Sequence, residues 1–184
     1  MNKINARWQD WSGQTIEQLV LNQSSKRITA DAAILACGKP NPFAITYHVV
    51  CDNCWRVNRV EISELGSNLA IELAGDGIGN WFDKSGAALP QLASAVDIDI
   101  SLTPFTNTLP IRRLNLRRGQ SKEIIAAYIQ VPSLTITADR QRYTCLVSGK
   151  VYRYESVDND FTRDIEVDSD GLVVNYPGLF RRVF

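Results

Sequence analysis

Residues 103–116 read TPFTNTLPIRRLNL, and they separate two blocks of sequence in which apolar and polar residues alternate. The commonest hairpin turn has only two residues, so this connection is long for a loop between strands. Pro104 and Pro110 stiffen it, while its threonines and Asn107 offer side-chain hydrogen bonds to the backbone. The stretch therefore reads either as the rim of a site or as an elaborate corner of a β-fold.

The sequence on both sides of this stretch has a dominant period of two, which is typical of half-buried strands. Gly, Pro, Asn or Ser residues bound each alternating segment. About a dozen strands at hairpin spacing, without a long helical pattern, predict an all-β, mainly antiparallel sheet that closes or rolls up. The predicted strands are TIEQLVLN, KRITADAAIL, FAITYHVVC, RVNRVEIS, LAIELAG, VDIDISL, RRLNL, LTITA, YTCLV, KVYRYES, TRDIEV and LVVNY.

Two further segments are ambiguous between strand and helix. SKEIIAAYIQVP (121–132) has apolar residues at every second position from Ile125 to Val131, and we predict a strand there. PQLASAV (90–96) begins with proline, which the first turn of a helix tolerates, and its small residues suit a short helix against the sheet. The chain carries no internal repeat or linker, so we expect one domain over residues 1–184.

The composition argues against several classes of function. The 184 residues carry 20 basic and 20 acidic side chains, so no net charge attracts the chain to nucleic acid. No stretch reaches the roughly 18 apolar residues of a membrane span, and the N-terminal MNKINARWQDWSG lacks the apolar region of an export signal. The four cysteines are few for this length, which favours thiols over a disulfide framework. We expect a cytoplasmic protein without a nucleic-acid partner or membrane span.

A CxxC motif at Cys51 and Cys54 follows a predicted strand, and His48 lies three residues before it. These are three soft metal ligands, but structural zinc sites usually have a second cysteine pair, and thioredoxin-like motifs need a βαβ context. CDNC reads more simply as a turn, and His48 as an ordinary strand residue.

The glycine cluster GDGIGN (75–80) leads into a strand, so it reads as a hairpin, not a phosphate loop. We predict no metal and no cofactor.

VDIDIS (96–101) is the strongest polar constellation in the sequence. Strand alternation puts Asp97 and Asp99 on one face, about 6.6 Å apart along the strand. This spacing is near the lower end of the roughly 6.5 to 9.5 Å between the carboxyl groups of an inverting glycosidase. Arg112 and Arg113 could instead hold both carboxylates ionised in salt bridges, without the raised pKa that a general acid needs. We favour these ion pairs over a catalytic pair.

The two arginines are not equivalent in the strand predicted at RRLNL. Arg112 shares the phase of Leu114 and Leu116 and so points to the apolar side, whereas Arg113 points to the other side. A buried arginine needs partners. Backbone carbonyls of the preceding corner or an aspartate are the commoner partners, and the anionic or hydroxylated head of a ligand is the third.

Three motifs resemble signature stretches of the bacterial "putative glycolipid-binding" family, formerly a family of unknown function: DIDISLTPFTNTLPIRRLNL, VYRYES and DGLVVNYPGLFRRV. Fainter similarities at YHVVCDNCWRVNRVEI and GNWFDKSG extend the resemblance over nearly the whole chain. The resemblance implies a spiral β-roll, a many-stranded sheet wrapped around a single short helix, and a dimer. It implies lipid or glycolipid binding and assigns no catalytic or ligand residue. PQLASAV is our candidate for the enclosed helix.

The residues leave three functional hypotheses. The first is a non-enzymatic carrier or sensor of an amphipathic ligand such as a glycolipid, since arginine pairs with phosphate or carboxylate and aromatic rings stack on sugars. The second is a homodimeric interaction or scaffold protein anchored by the C-terminal GLFRRVF. The third is a glycan-acting hydrolase that uses Asp97 and Asp99. We rank them in this order. The residues predicted to contact a ligand are Arg112, Arg113, Asn107, Trp55 and Trp81.

Overall fold

The computed structural model describes residues 2–38 and 41–184. Fourteen strands and one α-helix, α1 (Thr108–Leu114), are found in this part of the chain. The first seven strands are β1 (Asn2–Asp10), β2 (Thr15–Gln23), β3 (Ile28–Ala36), β4 (Phe43–Cys51), β5 (Val57–Glu64), β6 (Ala70–Gly75) and β7 (Trp81–Asp83). The other seven are β8 (Ala95–Ile100), β9 (Ser121–Gln130), β10 (Thr135–Val147), β11 (Val151–Ser156), β12 (Phe161–Val167), β13 (Val173–Tyr176) and β14 (Phe180–Arg182).

The strands form one sheet of order β7-β6-β5-β4-β3-β2-β1-β14-β13-β12-β11-β10-β9-β8. Neighbouring strands are antiparallel except β8 and β9, which run parallel. The two edges of the sheet meet, because the indole N–H of Trp81 at one edge donates to the carbonyl oxygen of Ala95 at the other, at 2.6 Å. The backbone N–H of Ser94 also donates to the Gly79 carbonyl, at 2.9 Å. The sheet is therefore rolled up on itself.

Strand alternation decides which side chains face the inside of the roll. In β3 every second residue is buried, namely Ile28, Ala30, Ala32, Ile34 and Ala36. The residues between them point outward, as the pleat of a strand requires. The same period of two is visible in the sequence, and the predicted all-β roll is confirmed.

The inside of the roll has two apolar regions. The larger one is lined by β1 to β6, β8 and β9 and contains aliphatic residues with Trp8, Trp55 and Trp81. The smaller one lies under β10 to β14 and is rich in aromatic rings. There the rings of Tyr143 and Tyr154 meet edge to face, with 5.5 Å between their centroids. Such a contact adds to the stabilisation from burial alone.

The enclosed helix lies in the stretch TPFTNTLPIRRLNL (103–116). A short 3-10 helix (Phe105–Asn107) leads into α1, which ends at Asn115 in the left-handed conformation, φ 45°. Phe105 and Leu109 are fully buried in the larger apolar region, and Ile111 is buried in the smaller one. The prediction of a single enclosed helix is therefore confirmed, but its predicted position was wrong.

Two local predictions are corrected by this helix. RRLNL is not a strand, because residues 112–114 form the last turn of α1. Pro110 does not prevent the helix, since it lies in the first turn, where a backbone N–H has no helical partner. PQLASAV contains only a 3-10 turn (Pro90–Leu92), and its last two residues begin β8. Ser94 ends the turn with a positive φ of 71°.

The remaining strand predictions hold, with two omissions. SKEIIAAYIQVP forms β9, and LTITA and YTCLV are parts of the single long strand β10. The strands β1 and β14 were not predicted, and they pair with each other and join the two halves of the sheet. In the described part of the chain, no helix combines the length and the apolar character needed to cross a membrane.

A buried carboxyl group connects the enclosed segment to the wall. Glu17 on β2 accepts hydrogen bonds at Oε1 from the hydroxyls of Tyr47 (2.5 Å) and Thr103 (2.8 Å). Its other oxygen, Oε2, is buried and has no hydrogen-bond partner in the described structure. Burial raises the pKa of Glu17 to about 7, although both hydroxyls oppose the rise. The neutral form of Glu17 is therefore favoured inside the roll.

Candidate ligand-binding site

Several loops converge at one end of the roll, which we call the mouth. Residues 52–56, 115–120, 148–150 and 168–171 surround a pocket of about 680 Å³ there, and the last turn of α1 forms its inner side. The loops meet at this end because β4, β10 and β12 end there and β9, β11 and β13 begin there. We call this depression the mouth pocket.

Arg112 and Trp55 form the centre of the mouth pocket. The guanidinium carbon of Arg112 lies 5.4 Å from the centre of the Trp55 ring, within the range of a cation–π contact. Arg112 is exposed, and it has no acidic partner within residues 2–38 and 41–184. Its N–H groups are available to a ligand, whereas Trp55 is only 5% exposed and supports the guanidinium from below, so the pocket presents an unpaired cation backed by a buried indole.

Trp55 is held by the turn that the CxxC motif forms. Its backbone has a positive φ of 66°. The carboxylate of Asp52 accepts from the backbone N–H groups of Cys54 (2.8 Å) and Arg56 (2.9 Å), which stabilises this conformation. The prediction that CDNC forms a turn is confirmed. The consequence for the site is that the indole of Trp55 is fixed before any ligand binds.

Arg113 is the arginine that points inward. It forms a two-pronged ion pair with Asp97, in which Nε lies 3.0 Å from Oδ1 and Nη2 contacts Oδ2. The Asp97 side chain is 1% exposed and that of Arg113 is 17% exposed. Strand phase had assigned Arg112 to the apolar side, and this was wrong because a helix turns each successive residue by about 100°. The predicted ion pair between the arginines and VDIDIS is confirmed for Asp97.

Asp99 is held by neutral donors instead of an arginine. Its carboxylate accepts from the Gln141 amide at 2.7 Å and from the Thr106 hydroxyl at 3.2 Å. Burial raises the pKa of Asp99 to about 6, against the effect of these two hydrogen bonds. Burial also raises the pKa of Asp97, and Arg113 opposes that rise. Both carboxylates thus fasten β8 to the helical segment, and neither lines the mouth pocket.

The comparisons with known proteins agree with this architecture. The model of the family described as "Putative glycolipid-binding" matches residues 5–182. The chain belongs to this family. A solved structure with the same fold is the crystal structure of a DUF1089 family protein from Pseudomonas aeruginosa, with 35% sequence identity and a TM-score of 0.81 over 92% of each chain. No curated protein matches the sequence.

Two of the residues predicted to contact a ligand lie elsewhere in this glycolipid-binding family member. Asn107 is buried, donates to the Pro104 carbonyl (3.3 Å) and accepts from the Tyr143 hydroxyl (3.0 Å). Trp81 is 2% exposed and closes the roll through its bond to β8. Of the five residues in that prediction, the structure brings Arg112, Arg113 and Trp55 together at the mouth pocket.

The three candidate metal ligands do not converge. His48 lies on the outside of β4 and contacts Asp31, with 2.7 Å between Nδ1 and Oδ1. Cys51 is buried at the end of β4, and burial raises the pKa of its thiol, while Cys54 is exposed in the following turn. Within the described ranges 2–38 and 41–184, no group of three His, Cys, Asp or Glu side chains is placed to hold a metal ion.

Sequence reasoning missed several residues of the site and its support. Arg117, Tyr152 and Asp168 line the mouth pocket, but they come from distant loops, and no local pattern relates them. Glu17 carried a usable signal. It shares the inward phase of Leu19 and Leu21 in β2, so the alternation rule could have placed an acidic side chain inside the roll, although this was not predicted.

Proposed function

We propose that this protein binds the head group of an amphipathic glycolipid in the mouth pocket, as a non-enzymatic sensor or carrier. The observation that carries the proposal is the unpaired Arg112 guanidinium above the Trp55 ring in a pocket of about 680 Å³. Guanidinium groups bind phosphate and carboxylate through paired hydrogen bonds, and the buried Trp55 ring under Arg112 holds the guanidinium in place for such a contact. The family description supports a glycolipid as the ligand class.

The lipid tail is proposed to stay outside the roll. Phe105 and Leu109 of the helical segment are fully buried in the larger apolar region, so protein side chains occupy the place where a carrier would enclose an acyl chain. A ligand that leaves its tail in a membrane or micelle needs only the pocket at the surface. This favours a sensor of head groups over a carrier that encloses the whole molecule.

We also propose that the protein acts in the cytoplasm. All four cysteines, Cys37, Cys51, Cys54 and Cys145, have free thiols. Free thiols suit a reducing compartment, where disulfides rarely form. Fractionation of the native host, followed by immunodetection, tests this location, and recovery in the cell envelope after a salt wash would contradict it.

A homodimeric scaffold is the second candidate function. The C-terminal segment exposes Leu179, Val183 and Phe184, with Phe184 70% exposed. An exposed apolar side chain of this size supports a contact between copies. Sedimentation velocity should give a dimer for the wild type and a monomer for Phe184→Asp. A monomeric wild type would contradict this second candidate and leave head-group binding unaffected.

The hydrolase hypothesis has weaker support. Asp97 is fully buried and engaged by Arg113, so a substrate has no access to its carboxylate without breaking the ion pair. Asp99 has the raised pKa that a general acid needs, but its two oxygens are already used by Thr106 and Gln141. The arrangement favours a structural role for both residues.

The test of head-group binding uses two probes that differ by one phosphate. Octyl glucoside and octyl glucoside 6-phosphate are titrated below micellar concentration and followed by calorimetry or native mass spectrometry. We expect octyl glucoside 6-phosphate to bind more tightly than octyl glucoside. Arg112→Ala should weaken the binding of octyl glucoside 6-phosphate by about 10-fold or more, because hydrogen bonds between charged groups are lost. Arg118→Ala is the matched control, since Arg118 is exposed nearby and does not line the pocket.

Two results would contradict the proposal. The first is that neither octyl glucoside nor octyl glucoside 6-phosphate binds to the wild type. The second is that octyl glucoside 6-phosphate binds equally well to the wild type and to Arg112→Ala. Native mass spectra of the protein purified from its host without detergent, followed by lipid extraction, then identify the natural head group. The fold of each variant is checked by circular dichroism.

A further inference from the structure

The basic side chains of this protein are distributed unevenly over its surface. On the walls of the roll, Arg59, Arg140, Arg142 and Arg153 each contact a carboxylate, and the basic residues there that form no ion pair within residues 2–38 and 41–184, such as Lys84, Lys122 and Arg163, are scattered over different strands and turns. The loops at the mouth carry exposed basic residues that form no ion pair within the described part of the chain. These residues are Lys26, Arg27, Arg56, Arg117, Arg118 and Lys150.

The ladder register places these loops at one end of the molecule. β2 ends and β3 begins at residues 23–28, and β4 ends beside them, since Cys51 pairs with Ile28. Residues 24–27 therefore lie at the same end as the turn 52–56 of the mouth pocket. On the other side of the roll, the connections 115–120 and 148–150 line that pocket directly. The unpaired cations thus surround the mouth.

Most acidic side chains at the mouth are engaged, and the exception is Asp170, whose carboxylate has no hydrogen-bond or ion-pair partner in the described structure. Asp52 accepts from the N–H groups of its own turn, and Asp76 accepts from the backbone N–H groups of Ile78 (2.9 Å) and Asn80 (3.0 Å). Asp168 pairs with Arg182 and also accepts from two N–H groups of its loop. The unpaired basic residues of these loops, together with Arg112, outnumber Asp52, Asp76 and Asp170, so the mouth presents a net positive surface although the chain has 20 basic and 20 acidic residues.

An exposed apolar side chain lies beside this basic surface. Ile78 is 68% exposed in the loop 76–80, between two glycines with positive φ, 75° at Gly77 and 105° at Gly79. A Cβ at Gly77 would lie 3.3 Å from the Cβ of Arg56, so this loop is next to the turn that holds Trp55. The backbone of Gly79 also bonds to Ser94, which fixes the loop to the start of β8.

We infer that the mouth end of the roll docks on an anionic lipid bilayer, with the unpaired basic residues at the lipid phosphates and Ile78 in the interfacial layer. Clustered lysines and arginines bind anionic leaflets electrostatically, and an apolar side chain among them adds burial in the interface. This inference rests on the proposed function in one respect: docking presents the mouth pocket to head groups whose tails remain in the bilayer.

The test is flotation of the full chain with vesicles of phosphatidylcholine, with or without phosphatidylglycerol, and no glycolipid. We expect binding only to the anionic vesicles, and release by salt, because the Debye length shortens. The double variant Lys26→Glu/Arg118→Glu should lower partition by about 30-fold or more, since each basic residue contributes about 1 kcal/mol near the surface. Ile78→Asp should lower partition as well. The matched control is Lys84→Glu/Arg163→Glu, which changes one exposed lysine and one exposed arginine outside the mouth loops.

Three outcomes overturn the inference. They are no flotation of the wild type, equal binding to neutral and anionic vesicles, and an equal loss in the mouth variant and the control. The first outcome includes the case in which the wild type binds single-stranded DNA but not vesicles. Failure of membrane docking and failure of head-group binding can be distinguished by these variants. Lys26 and Arg118 do not line the pocket, so their double variant should still bind octyl glucoside 6-phosphate, whereas Arg112→Ala should lose that ligand and still float.

Discussion

Arg113 at the end of the enclosed helix and Asp97 in strand β8 form a two-pronged ion pair, with the carboxylate almost fully buried. The pair joins the last turn of α1 to the strand that precedes it in the chain. Its neighbour Arg112 points away, over Trp55 and into the mouth pocket. One arginine thus anchors the helix and the next one is left for a ligand.

Removing the anchoring arginine should destabilise the fold. In Arg113→Ala the buried Asp97 loses its only cationic partner in the described structure, and loss of one member of a buried pair costs about 3 to 5 kcal/mol. Urea unfolding measures the change in the free energy of unfolding. Arg112→Ala is the control, with an expected change of at most about 1 kcal/mol, because Arg112 is exposed, makes no ion pair in the described structure and loses only its cation–π contact with Trp55. Similar losses in both variants would contradict an anchoring role.

Glu17 should make stability depend on pH. Its pKa is about 7 in the folded protein against a usual value of 4.5, so the folded state binds a proton more tightly than the unfolded state does. The resulting stabilisation is complete below about pH 4.5 and is lost as the pH rises through about 7, a decline of roughly 3 kcal/mol. The measurement is urea unfolding at several pH values.

The variant Glu17→Gln isolates this effect, because the amide oxygen can still accept from Tyr47 and Thr103 and the side chain no longer titrates. The stability of the wild type relative to Glu17→Gln should fall between pH 4.5 and pH 7. A difference that stays constant over this interval would show that Glu17 has an ordinary pKa.

Gly171 should control the position of Arg112. Its φ is 78°, and a Cβ there would lie 2.8 Å from Cδ of Arg112, so Gly171→Ala displaces the arginine side chain. Gly178 has a nearly equal φ of 79° and no atom within 4 Å of the same point. Both substitutions should destabilise by about 1 kcal/mol through backbone strain. Only Gly171→Ala should also weaken binding of octyl glucoside 6-phosphate, and equal affinity in the two variants would contradict the contact.

Leu109 should be essential to the filled interior. It is fully buried against the larger apolar region, so Leu109→Ala should lower the free energy of unfolding by about 2 to 5 kcal/mol. Leu65 is 74% exposed, and Leu65→Ala should have an effect below about 0.5 kcal/mol. A small loss at Leu109 would mean that the helix packs loosely, and that space for a lipid tail exists inside the roll.

The strands were predictable from the sequence because their signal is local. Alternation in segments such as TIEQLVLN and FAITYHVVC requires only that one face of a strand is buried, and a sheet of any topology meets that condition. The strand β14 escaped prediction, since three residues are too few for a period to appear. The turn at CDNC was predictable for a similar reason, because Asp52 bonds to its own turn.

The helix and the site depended on tertiary structure. Pro104 lies before the segment 108–114 and Pro110 within it, while Leu114 and Leu116 at alternate positions favoured a strand at RRLNL. Only burial of Phe105, Leu109 and Ile111 between two apolar regions decides in favour of the helix.

The sequence by itself determined the rolled all-β class and the presence of polar anchors at VDIDIS. The fold alone decided which arginine meets Asp97 and which loops meet at the mouth, because those contacts join residues that are distant in the chain.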